Sequence, residues 1–136
     1  MDILEQLERD EGVVLHPYRD SRGFLTIGIG HNLDAKDISL RAARVLLEDD
    51  VSEAKSALLG CWPWMRDLSV PRLGAFINLA FNLGINGLRG FHKMLAAAEV
   101  GDYALASAEL LSSKYAGQVG DRAVRLATQL HEDRWV

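Results

Sequence analysis

The chain has 136 residues, 49% of them hydrophobic and 25% charged, the profile of a globular domain able to bury a core. Residues 1–59 hold seven Lys/Arg against twelve Asp/Glu and residues 60–136 hold eight against seven, so the net charge of −4 leaves no basic stripe for nucleic acid. The single Cys61 excludes an intrachain disulfide, no apolar run reaches the ~18–20 residues of a membrane span, and His16, His31, His92 and His131 form no close ligand pair, so neither metal nor cofactor is expected.

The first ten residues carry acids through their apolar pattern and do not read as a signal peptide. Residues 2–11 predict a helix capped by Asp2 and ended by Gly12, the residue that best takes a left-handed position. Ile3, Leu7 and Glu11 recur at i, i+4, i+8, which puts Glu11 at the end of an apolar stripe. Loss of water there, and the negative end of the helix, both favour a protonated carboxyl. A surface acid at a frayed helix end is the plainer alternative.

From residue 13 the period changes. V-V-L-H-P-Y is extended, because Pro17 disfavours helix in the residue before it. D-S-R-G, from Asp20 to Gly23, predicts a turn. F-L-T-I-G-I-G-H alternates as one strand over 24–31, with Phe24, Thr26, Gly28 and Gly30 on one face and Leu25, Ile27 and Ile29 on the other. Bare backbone beside the Thr26 hydroxyl suits a cleft floor that a ligand approaches closely. A strand with glycines at a bulge is the alternative.

Residues 32–38 are a polar connector, and Ser39 predicts the N-cap of a helix running to about Leu59, closed by Gly60. At about 1.5 Å per residue that helix spans roughly 30 Å, enough to join two lobes. Trp62 and Trp64 form an aromatic corner that packs a core or stacks on a sugar. Residues 71–83 are apolar nearly all round and predict a buried helix whose Asn78 and Asn82 share a polar seam. Helices follow at 91–100 and from Asp102 to about Leu111. A last amphipathic helix starts near Asp121, with Ala123, Leu126, Ala127 and Leu130 inward.

Two carboxyl groups in unlike surroundings are the minimum for glycoside hydrolysis: one protonated, to give its proton to the leaving oxygen, and one ionised. Glu11 suits the acid. Asp20, in a polar turn beside Arg19 and Arg22, suits the ionised partner, and Thr26 can hold a water. The arrangement D-E-G…Y-R-D-S-x-G-x-x-T-I-G-I-G-H resembles the phage-type lysozymes, the endolysins of glycoside hydrolase family 24. The likeness continues in I-S-L-R-A-A-R-V-L-L-E-D-D-V, A-F-I-N-L-A-F-N-L-G, G-F-H-K-M-L and Q-V-G-D-R-A-V-R, so it covers nearly the whole chain.

The resemblance implies an α+β, mostly helical, two-lobe fold in a single domain over 1–136. A small β lobe would cover 12–38, an interlobe helix 39–59, and a helical lobe 60–136 plus 1–11. It implies Glu11, Asp20 and Thr26 as catalytic residues of a muramidase that cuts peptidoglycan with inversion. It further implies that Arg122 pairs with Glu11 and that His31 is a structural histidine with a bonded ring. Gly30, His31, Asn32, Asn78, Asn82, Met94, Glu109 and Arg122 are the supporting or substrate-binding candidates.

The connector after His31 is short and the net charge acidic, unlike many relatives. Asn32 stands where an apolar cleft residue belongs, and Met94 and Glu109 stand at polar sugar-contact positions. The expected partner is the peptidoglycan glycan strand, met by a monomer without membrane insertion. Synthesis in a host cytoplasm and release through a holin pore is the simplest route to the wall. A wall-binding tail or injection protein without catalysis, an enzyme for chitin, and a cargo or toxin domain are the other readings.

Overall fold

The structure, a computed structural model, describes residues 1–136. Its elements are α1 (Ile3–Glu11), β1 (Val14–Arg19), β2 (Leu25–Gly28), β3 (His31–Asn32), α2 (Leu40–Cys61), α3 (Val70–Arg89), α4 (His92–Glu99), α5 (Tyr103–Leu111), α6 (Lys114–Val119) and α7 (Asp121–Glu132). A 3-10 helix, Pro63–Asp67, lies between α2 and α3. This is the expected α+β class, mostly helical with a small N-terminal sheet. The chain divides into two compact units, Met1–Leu46 and Leu47–Val136, with the boundary inside α2. Residues 1–11 group with the first unit, whereas the sequence reading gave them to the helical lobe. No helix is long and apolar enough to cross a membrane.

In the first unit, Asp2 and Glu5 form a reciprocal capping box at the start of α1, and Gly12 ends the helix at φ +74°. The apolar stripe of α1 is not buried: Ile3, Leu4 and Leu7 are 62%, 73% and 44% exposed. The three strands form an antiparallel sheet in the order β1-β2-β3. β1 pairs with β2 through Val14↔Gly28, Tyr18↔Thr26 and Arg19↔Leu25, with an irregularity between Val14 and Tyr18. Pro17, which has no N–H to give a ladder, lies in that interval.

The single strand expected over 24–31 is instead two. Gly28 and Gly30 both take positive φ, +73° and +66°, and turn the chain so that His31 pairs with Ile27 and Asn32 with Thr26. Alternation of apolar residues continues through this turn in the sequence, so periodicity alone does not reveal it.

The second unit holds the core. Phe76, Leu58, Met65, Leu79, Leu88, Met94, Leu110 and Leu130 are its largest fully buried side chains. α2 runs through Gly60 to Cys61 rather than closing at Gly60, and of its residues only Leu58 is buried. α3 starts at the Ser69 cap and is broken at Gly84, where φ is +71°. It is not buried all round: Ala75, Phe76, Leu79 and Ala80 face the core, while Asn78, Phe81 and Asn82 lie on an exposed face. α7 buries Ala123, Leu126, Ala127 and Leu130 as expected. α6, capped by Ser113, is short, and no repeating pattern announced it. Arg72 joins both ends of this unit: it stacks on the Tyr103 ring at 3.5 Å and donates to the Leu130 carbonyl at 2.8 Å.

Candidate functional site

Glu11 is the last residue of α1, and the positive φ of Gly12 turns the chain away immediately after it. Its side chain lies flat on the backbone of Gly30. A Cβ at residue 30 would stand 2.9 Å from Glu11 Oε2 and 3.0 Å from its Cδ, inside contact distance. Gly30 is therefore required twice, by its positive φ and by this approach. Glu11 is exposed, not desolvated by an apolar stripe as expected, because α1 buries none of its residues.

Asp20 sits where β1 enters the D-S-R-G turn. Its Oδ1 accepts the backbone N–H groups of Arg22 and Phe24, each at 2.9 Å. Its own N–H donates to the Phe24 carbonyl at 2.9 Å, and Gly23 N donates to its carbonyl. One carboxylate oxygen is thus fixed by the turn, which sets the direction of the other.

Thr26 is 2% exposed, so the open face predicted for it is closed in the structure. Its hydroxyl donates to the Phe24 carbonyl at 2.9 Å, which leaves the Oγ1 lone pairs as acceptors. Asp20 and Thr26 are joined through one peptide residue: Phe24 gives its N–H to the acid and receives the hydroxyl with its carbonyl.

Behind them, Asp34 Oδ2 accepts Leu25 N at 2.8 Å and Arg19 Nη1 at 3.3 Å. Asn32 spends its side-chain oxygen on the N–H groups of Asp34 and Ala35, both at 3.0 Å, so it builds the turn after β3. His31 departs from expectation: its Nε2 is buried without a hydrogen-bond partner.

The remaining candidates lie in the second unit, in two groups. Arg122 donates through Nε and Nη2 to Asn78 Oδ1, at 3.1 and 2.7 Å. Asn82 Oδ1, one turn along, accepts the Tyr115 hydroxyl at 2.8 Å. Both amides are exposed, yet each has the partner that their shared face called for. Met94 and Glu109 line one cavity of about 300 Å³ with Phe91, Ser112 and Ser113. Met94 is 1% exposed, so it meets the cavity with only a small part of its side chain.

Sequence reasoning missed Phe24, Asp34 and Tyr115. Phe24 acts through its peptide group, which no residue type marks. Asp34 follows an Asx turn, a weak signal, and the demand of Asn82 for a partner did not say which residue would answer it.

The phage lysozyme family matches residues 8–128 of the chain. The chain belongs to that family. Individual relatives match as well. The pre-baseplate central spike protein Gp5 of Enterobacteria phage T4 is 27% identical over 154 residues, covering 93% of this chain and 27% of the spike protein. Probable T4-type lysozyme 1 of Dictyostelium discoideum is 27% identical, covering 91% of this chain and 90% of its own length. The endolysin of Salmonella phage P22 is 28% identical over 127 residues, 87% of this chain and 84% of the endolysin. The chain therefore spans about a quarter of the spike protein and most of the two lysozyme-sized relatives. The family match takes in Glu11, Asp20 and Thr26 and nearly all of both units.

Proposed function

We propose that the chain is a muramidase, a glycoside hydrolase that cuts the β-1,4 bond between N-acetylmuramic acid and N-acetylglucosamine in peptidoglycan with inversion, for lysis of the bacterial wall. The observation that carries this reading is the linkage of Asp20 to Thr26 through the Phe24 peptide, in the same unit as a Glu11 carboxyl laid on bare backbone. Thr26 Oγ1 has spent its proton on Phe24 and can only accept from a further partner. A water that donates one hydrogen to Thr26 and the other to the Asp20 carboxylate keeps a lone pair for the anomeric carbon. Its oxygen bonds to that carbon, the glycosidic C–O bond breaks, Glu11 protonates the leaving oxygen, and Asp20 takes the proton of the water. Gly30 lets the acid lie close to the chain, and with it the sugar.

The test is mass analysis of digested peptidoglycan with the reducing-end sugar identified. New N-acetylmuramic acid ends are expected; N-acetylglucosamine ends would overturn the bond assigned. NMR of the first-formed product should show the α-anomer, and initial β-anomer would overturn inversion. Action from the host cytoplasm through a holin pore belongs to the same reading.

The likeness to a central spike protein favours one second reading, a tail-associated wall-binding protein. That reading predicts retention on insoluble peptidoglycan with no release of reducing ends.

A further inference from the structure

The aromatic corner after α2 takes no part in the chemistry above, yet it forms a cavity of about 460 Å³ in the second unit. Volumes of a few hundred Å³ are those of small-molecule sites. Trp62 and Trp64, which flank Pro63 in the chain, line it together with Arg89, His92, Glu99, Leu95 and Ala96. Both indoles are only half-buried: they pack on the core by one part and leave another in the cavity. Trp64 is held by an edge-to-face contact with Phe76, ring centroids 6.2 Å apart. Arg89 is held by Asn86 Oδ1 and by Cys61 Sγ, each at 3.3 Å.

The polar groups here are not used up by the protein. Neither indole N–H has a hydrogen-bond acceptor, and Glu99 has no ion-pair partner. Arg89 spends its donors on a neutral amide and a thiol rather than an acid. The cavity therefore offers aromatic surface, unspent donors of both indole and guanidinium type, one unspent carboxylate and a small apolar patch.

We propose that this cavity binds a neutral N-acetylated pyranose, as a second saccharide site separate from the residues of the reaction. A pyranose has an apolar C–H face to lie on an indole and hydroxyls to meet both donors and acceptors at its edge. Leu95 and Ala96 receive the acetyl methyl. The opposite charges of Arg89 and Glu99 offset each other, so the cavity lacks the net positive charge that would favour a phosphate, and its polar groups disfavour a purely apolar guest, because their lost hydration would go unreplaced.

The probe is the N-acetylglucosamine tetramer, titrated into the full chain carrying Glu11→Gln so that turnover does not interfere. The three tryptophans give three indole N–H signals, and Trp135 lies outside the cavity. The signals of Trp62 and Trp64 should shift together along one binding curve. Trp62→Ala should weaken the binding read at Trp64 about tenfold. Because Trp62 also packs on the core, the exposed Arg89→Ala and Glu99→Ala serve as second variants, each weakening it about threefold to tenfold. In an otherwise unaltered chain these two variants should leave cleavage of short soluble glycans unchanged and reduce retention on insoluble peptidoglycan. Silent Trp62 and Trp64 signals, or binding indifferent to Arg89 and Glu99, overturns the site. Either result is independent of whether the chain cleaves peptidoglycan, since the binding is read without turnover.

Discussion

The two units of this chain are built on different physics. Met1–Leu46 has one buried residue, Thr26; every other buried side chain belongs to Leu47–Val136. The first unit is held by backbone pairing, by turns that spend side-chain oxygens on N–H groups, and by glycines at positive φ. The second is held by burial of large apolar side chains around Phe76 and Leu79. The residues proposed to carry the reaction all lie in the unit that has almost no core. A reacting group needs to face a substrate, and a small sheet held by backbone pairing can present Glu11 and Asp20 without enclosing them, Thr26 alone being buried.

This contrast predicts that damage will separate cleanly by unit. The largest effect is expected for Glu11→Gln, which removes the proton donor: kcat should fall by about 10³-fold or more, close to the limit of a general acid, while Tm stays put. An active Glu11→Gln enzyme would remove Glu11 from the chemistry and with it the division of labour.

Phe76→Ala should do the opposite. Loss of a fully buried ring costs about 3–5 kcal/mol of stability by denaturant unfolding, whereas activity per folded molecule persists. A matching loss of specific activity would mean that the core tunes the site.

Gly30→Ala is a finer probe. The new methyl meets Glu11 Oε2 and occupies a backbone position with φ +66°. Activity should fall about tenfold to a hundredfold through displacement of the acid, with a smaller loss of Tm. Unchanged kinetics in this variant would show that the contact between Glu11 and Gly30 has no part in positioning.

The smallest effect belongs to Asp34→Ala, which strips the acceptor from Leu25 N and from Arg19. About 1 kcal/mol of stability should be lost, with a modest drop in kcat as β2 loosens. Stability equal to the parent chain would mean that solvent replaces the Asp34 bonds without loss.

Local chemistry was legible in the sequence; approach between distant segments was not. Asp2, Gly12, the D-S-R-G turn and Ser39 each act on neighbours a few residues away, and each is where the residue type called for it. The buried face of α7 followed from its period. The turn between β2 and β3 did not, because its glycines fall on the polar beat of an alternating pattern. The exposure of α1 has a related cause: a stripe in the sequence states which face could be covered, not that it is. The set Glu11, Asp20 and Thr26 came from spacing, chemistry and resemblance together. What spacing could not supply was the Glu11 side chain resting on residue 30, nineteen positions along.

Phe24 lends the site only its amide and its carbonyl, and its ring is 40% exposed. The linkage between Asp20 and Thr26 is therefore written in a part of the chain that most codon changes leave intact. Position 24 is free to drift among residue types while the site keeps its shape, and natural variation there should be read as neutral. Proline is the exception, since it removes the N–H that Asp20 accepts.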